Sequence, residues 1–298
     1  MTVRSALLVA LLTLGHCPAP SITACGADPG AVVALDLPLP AHPTLRALTF
    51  FPTHRRRAGT LVVLHGGGWN DPAQRRHHLA PWTARLACRL GVAAVSAEYR
   101  LVREGGAFPA ALDDVRDTLR ATPRLVGDDG PRVLVGESAG GQLALLAAAD
   151  APTVTAVVAL SAPSDLAAML DHPLPGPGGA EAQAVVRGHL GHDCTGPHAA
   201  RCIAASPRYV AERLPPLRVV HSPDDHLVPM NQAQALVDAA RAAGRDAALW
   251  SVSRREHPCP EARSYHGLSP CLVNPIDDRL VAFLAAHLPA RPGRGPAL

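Results

Sequence analysis

Short, wholly apolar runs alternate along this chain with longer stretches whose apolar positions recur at helical spacing. The runs "GTLVVL" (59–64), "VAAVSAEYR" (92–100), "RVLVG" (132–136), "VTAVVALSA" (154–162), "LRVVHS" (217–222) and "DAALWSVS" (246–253) predict strands. Between and after them, "LAPWTARLACRLG", "FPAALDDVRDTLRATPRLVG", "GGQLALLAAAD", "NQAQALVDAARAAG" and "DDRLVAFLAAHLP" predict helices. A strand apolar at every position must be covered on both faces. The fold class is therefore α/β, a mostly parallel central sheet with helices on both sides. Reactive groups in such a sheet collect where strands end and loops begin. The stretch from about 164 to 216 breaks the rhythm with "HPLPGPGGAEAQ", two cysteines and several histidines, and reads as a short cap-like insertion arching over the sheet edge.

The first residues, "MTVRSALLVALLTLGHCPAPSITACGADPG", place one arginine before an apolar core from Ala6 to Leu14. That pattern is an export signal, too short to span a bilayer as a mature helix. Residues 1–24 are the expected signal peptide, and 25–298 the expected single domain. Ile22-Thr23-Ala24-Cys25 also resembles a lipobox, which makes an acylated Cys25 the one membrane attachment the sequence suggests, although Pro18 and Pro20 interrupt the usual continuous pattern. The protein is thus expected outside the cytoplasm, secreted, periplasmic or lipid-anchored.

Composition narrows the function further. The 28 basic residues are all arginine, against 25 acidic ones, and the net charge of +3 is too small and too scattered to imply a nucleic-acid partner. The densest basic cluster, "HRRR" at 54–57, reads as a solvated turn between strands. The arginine-only, proline- and alanine-rich usage resembles a high-GC bacterial gene. Removal of the signal leaves Cys25, Cys88, Cys194, Cys202, Cys259 and Cys271. Cys194 with Cys202 and Cys259 with Cys271 bracket short loops and are candidate disulfides in an oxidising compartment. Cys88, on a predicted helix, reads as a small buried thiol. No C-x-x-C occurs, and His77, His78, His172, His189, His192 and His198 read as solvated loop residues, so neither a metal nor another cofactor is expected.

The chemistry is carried by three stretches. In "RVLVGESAGGQ" Ser138 stands between Gly136 and Gly140 where a strand turns into a helix, the G-x-S-x-G elbow that presents a serine hydroxyl outward. "HGGGW" at 65–69 offers bare backbone; Gly66 and Gly67, with Ala139 behind the serine, are the expected N–H donors to an oxyanion. His65 reads as a structural hydrogen-bonder, Glu137 likewise. A serine needs a histidine to take its proton and a carboxylate to orient that histidine. "VVHSPDDHLVP" follows the next-to-last strand and offers Asp224 and Asp225. Asp113 and Asp114 read as helix-starting charges, and Tyr99 and Arg100 as strand-end packing and tethering.

Together "HGGGW", "EYRL", "FPAALDDVRDTLR", "GESAGG" and "HSPDDHLVP" resemble the α/β-hydrolase serine esterases of the hormone-sensitive-lipase-like type, over roughly residues 30 to 288. The resemblance implies a motif H-G-x-x-D-x-x-V-P, which laid on His221, Val228 and Pro229 selects Asp225 over Asp224, with Ser222 in place of the usual glycine. It also implies a base a few residues beyond the last strand, about thirty after the acid. His257 lies 32 positions after Asp225 and is the expected base. His266, followed by glycine and leucine, is the alternative.

The expected activity is hydrolysis of a small or polymer-linked carboxylic ester through an acyl-enzyme. The competing readings are an acyltransferase or amidase using the same triad, and a non-catalytic hydrolase-fold surface protein. Acyl and alcohol specificity and oligomeric state are not legible.

Overall fold

The computed structural model describes residues 32–53, 57–259 and 265–290. The signal segment, Cys25 and most of the "HRRR" cluster fall outside the described residues. Among the described residues eight strands form one sheet: β1 (Val32–Leu39), β2 (His42–Pro52), β3 (Thr60–Leu64), β4 (Ala93–Ala97), β5 (Arg132–Glu137), β6 (Val154–Leu160), β7 (Leu217–His221) and β8 (Ala247–Ser251). Their spatial order is β1-β2-β4-β3-β5-β6-β7-β8. The β1–β2 and β2–β4 pairs are antiparallel and the rest parallel.

The predicted strands are β3 to β8, and their apolar character has the expected cause. Val62, Leu64 and Leu134 pack into one core; their neighbours Leu61, Val63, Val133 and Val135 pack into another on the opposite face. Around the sheet lie α1 (Ala80–Leu90), α2 (Ala110–Val126), α3 (Ser138–Ala149), α4 (Leu166–Asp171), α5 (Pro177–Leu190), α6 (Ala199–Ala204), α7 (Met230–Ala242), α8 (Pro270–Val273) and α9 (Asp277–Ala286). Leu119 of α2, Leu143 of α3 and Leu236 of α7 fill the first core; Leu86 of α1 and Leu280 of α9 fill the second. The sheet is thus sandwiched as expected. Helices α4, α5 and α6 all fall between β6 and β7, in the stretch whose rhythm breaks.

Two readings of single residues are corrected. Asp113 does sit exposed in the first turn of α2 and pairs with Arg116, but Asp114 is a buried partner of Arg100. The Asp114 carboxylate accepts from the Arg100 backbone N–H at 2.9 Å and from Nε and Nη2 of its guanidinium, tying the end of β4 to α2. Cys88 is disulfide-bonded, not a thiol. The expected Cys194–Cys202 and Cys259–Cys271 bridges are both present.

Candidate active site

Strand β5 ends at Glu137, and α3 begins at the next residue. The chain must turn there at once, and Ser138 takes a left-handed φ of 49°. That conformation costs a non-glycine residue about 1–3 kcal/mol and lifts the side chain off the sheet edge. The turn is possible only because the flanking glycines let backbones touch. A Cβ on Gly136 would lie 2.4 Å from the Gly140 carbonyl oxygen, and one on Gly140 would lie 2.2 Å from that of His65.

The Ser138 Oγ lies 2.9 Å from Nε2 of His266, whose Nδ1 lies 2.7 Å from Oδ2 of Asp225. With Nδ1–H donating to the carboxylate, Nε2 is left to accept the serine proton. The loop after β7 holds Asp225 rigidly: the N–H groups of Leu227 and Val228 donate to its Oδ1 at 2.9 and 3.0 Å. Burial alone would raise the Asp225 pKa, but the hydrogen bond and charge of His266, the His221 ring and the Val228 N–H outweigh it and hold the carboxyl below the usual range. For His266 the balance has the opposite sign. Burial works to lower its pKa, and the hydrogen bond and charge of Asp225, with Glu137 and Glu181 farther off, raise it above the ordinary histidine value. Asp224 points elsewhere, accepting the Arg254 N–H.

His257, the expected base, is not in this chain of contacts. It lies exposed in a turn after β8 whose N–H closes on the Ser253 carbonyl, and its own carbonyl accepts from the Tyr265 hydroxyl. The imidazole position is taken nine residues further along the chain, by His266. Three contacts then place His266. Tyr265 is fully buried, the Cys259–Cys271 bridge closes the loop, and the Leu268 N–H donates to Glu137 Oε1 at 2.8 Å. Gly267 is required between them: it adopts φ 64°, and a Cβ there would sit 2.2 Å from Glu137 Oε1. Glu137, expected to make a structural hydrogen bond, makes it to the loop that carries His266.

The glycine loop lies against the serine. A Cβ on Gly66 would lie 3.2 Å from the Ser138 Cβ, so the bare peptides of Gly66 and Gly67 border the space in front of the hydroxyl. The Ala139 N–H lies at the N-terminus of α3, where helix polarity favours negative charge. The loop is tethered from behind. The Tyr99 hydroxyl donates to the carbonyls of His65 and Gly66 at 2.8 and 3.1 Å. The His65 ring stacks on Tyr99 at 4.2 Å, and burial holds its pKa down to about 4. It is therefore neutral, and its Nδ1–H donates to the Gly66 carbonyl at 3.0 Å.

His189 corrects another reading. It is fully buried at the end of α5, stacked on Trp69 at 4.3 Å, and burial lowers its pKa to about 3. Trp69 also donates its indole N–H to Gln142 of α3, so the glycine loop, α3 and the insertion share one junction. A pocket of about 830 Å³ opens over Ser138 and His266. Its apolar walls include Met169, Val185, Val186 and Leu227, and its polar rim includes Asp71, His78 and Glu181. Among the described residues no group of three or more His, Cys, Asp or Glu is placed to hold a metal ion.

Comparisons with known proteins agree with this architecture. Kynurenine formamidase avaC of Aspergillus versicolor is 29% identical over 209 residues, 58% of this chain and 72% of that protein. An esterase from the bacterial hormone-sensitive lipase family superposes with a TM-score of 0.67 at 24% identity, covering 86% of this chain and 84% of that one. EstE5, solved after soaking with p-nitrophenyl butyrate, does so with a TM-score of 0.65 at 18% identity, over 96% and 97%. These likenesses establish the α/β-hydrolase fold. The BD-FAE family profile matches residues 49–239, a span that holds the glycine loop, Ser138 and Asp225. Matched over well more than half of its length, the chain belongs to the BD-FAE family.

Proposed function

We propose that this protein hydrolyses carboxylic esters through an acyl-enzyme. The observation that carries the reading is the unbroken path from Asp225 through His266 to the Ser138 hydroxyl, beside bare backbone N–H groups. Ser138 Oγ attacks the ester carbonyl while its proton passes to His266 Nε2. The carbonyl oxygen becomes an oxyanion facing the N–H groups of Gly66, Gly67 and Ala139. Collapse expels the alcohol, which takes the proton from His266, and leaves an acyl group on Ser138. Water then repeats the sequence, giving its proton to His266 and releasing the acid. Asp225 keeps Nδ1 protonated and steadies the imidazolium. The test is turnover of p-nitrophenyl butyrate with Ser138→Ala as control. Wild-type protein that neither turns over short acyl esters nor labels with a fluorophosphonate at Ser138 would overturn the proposal.

A second reading has one specific support, the identity to a protein named kynurenine formamidase. The same triad would then cleave a formamide of an aromatic amine. A kcat/KM on an aryl formamide exceeding that on every ester of the panel selects this reading.

We also propose that the protein works outside the cytoplasm, since the Cys194–Cys202 and Cys259–Cys271 bridges persist in oxidising compartments. Recovery from the cytoplasmic fraction with these thiols free to alkylate would count against it.

A further inference from the structure

Arg132 opens β5, at the end of the strand opposite the nucleophile. It is only 5% exposed, yet its Nε has no hydrogen-bond partner, and no carboxylate pairs with it among the described residues. A guanidinium nitrogen buried without a partner is costly, since burial strips its water and nothing replaces it. Arg132 lines a cavity of about 460 Å³ that it shares with Arg116 and Arg120 of α2, and with Asp150 and Thr153 in the turn before β6.

The lining sets three arginines against the single carboxylate of Asp150, although Arg116 also pairs with Asp113 outside it. Asp150 is already matched twice, by Arg116 Nη2 and by Arg213 Nη1, each at 2.5 Å. Arg120 pairs with Asp117 one helical turn away, but its side chain is 68% exposed. Such an exposed pair is worth little, so Arg120 is free to turn toward a better anion. The remaining lining is apolar, including Leu119 and Ala147.

We propose that this cavity is a binding site for an oxyanion group, phosphate or carboxylate, held by the Arg132 guanidinium with Arg120 closing over its mouth. The fork of donors on a guanidinium matches two oxygens of either group. The cavity exceeds a single oxyanion, which leaves room for the carbon skeleton that bears it. The six residues of β5 separate it from Ser138 by roughly 20 Å, so it is distinct from the pocket over the nucleophile.

The test is titration of the purified full chain with inorganic phosphate and, separately, with acetate, followed by calorimetry and thermal unfolding. Sodium chloride at matched ionic strength is the control. The expected result is saturable binding, with a melting temperature raised beyond the chloride control by at least one probe. The probe giving the larger shift identifies the charged group of the ligand. Arg132→Gln, which keeps a polar side chain but removes the charge, should weaken binding about 10- to 100-fold. If that variant does not fold, the exposed Arg120→Gln carries the test, with several-fold weaker binding expected. Wild-type protein responding to neither probe beyond chloride overturns the proposal, as does unchanged affinity in the folded Arg132→Gln or, in its place, in Arg120→Gln.

Discussion

An imidazole wedged between a carboxylate and a hydroxyl has its basicity set by both neighbours, and His266 is in that position. Replacing it should remove most of the rate. His266→Ala is expected to lower kcat on p-nitrophenyl butyrate by about 10⁴-fold or more, in the range seen when a triad member is lost. His257→Ala should leave kcat within about twofold, because that ring is exposed and contacts neither Ser138 nor Asp225. Equal losses in the two variants would sink the assignment. The raised pKa of His266 fixes the direction of the pH dependence as well. Its neutral form is the base, so kcat/KM should fall as pH drops through that pKa. The acid limb should have its midpoint above the ordinary histidine value of about 6.5. Asp225→Asn removes the hydrogen bond and charge that raise it, and should move the residual midpoint down. A midpoint at or below 6 in the wild type would contradict the geometry.

Between strand and helix, tolerance is set by how closely backbones approach. Gly140 lets the first turn of α3 rest on the end of β3, with no room for a methyl group. Gly140→Ala should therefore lower unfolding free energy by about 3 kcal/mol in urea titration and abolish measurable esterase activity, since the displaced turn carries Ser138 and Ala139. Retention of full activity would show that the elbow yields. These elements were the most legible part of the chain. Strands β3 to β8 are buried on both faces, so their sequences are apolar throughout and bounded by glycine and charge. Strands β1 and β2 escaped the same reading because they lie at the antiparallel edge, mix buried with exposed positions and are broken by Pro38, Pro40 and Pro43. The helices of the insertion were hidden by its prolines and glycines. The elbow, the glycine loop and Asp225 could be read because each is local to one loop. The partner histidine was legible only as the alternative: spacing favoured His257, and His266, marked by the glycine and leucine after it, is the ring in contact. His266 is placed by Glu137, Asp225 and Cys259, contacts that no spacing rule measured from the last strand contains.

Across the whole molecule, rigidity is divided between two sources. The sheet and its two cores hold Ser138, the glycine loop and Asp225, whereas the pieces that complete the pocket come from the insertion and the loop after β8. Each of these peripheral segments carries a disulfide, Cys194–Cys202 in the first and Cys259–Cys271 in the second. The matched family span ends at residue 239, before the loop that holds His266. That loop is fixed by the Cys259–Cys271 bridge, the Glu137–Leu268 hydrogen bond and the buried Tyr265, so loss of the bridge should loosen it without dissolving the sheet. The double variant Cys259→Ser/Cys271→Ser is expected to keep its far-ultraviolet circular dichroism and to lose about 2–3 kcal/mol of stability, in line with closure of a short loop. Its kcat should fall about tenfold while KM changes less, because the freed loop spends only part of its time with His266 against Ser138. Glu137→Gln weakens the second tether and should add to that loss in the double variant more than it costs the wild type, since two restraints on one loop are not independent. Additive losses would mean that the bridge and the carboxylate act on different parts of the fold.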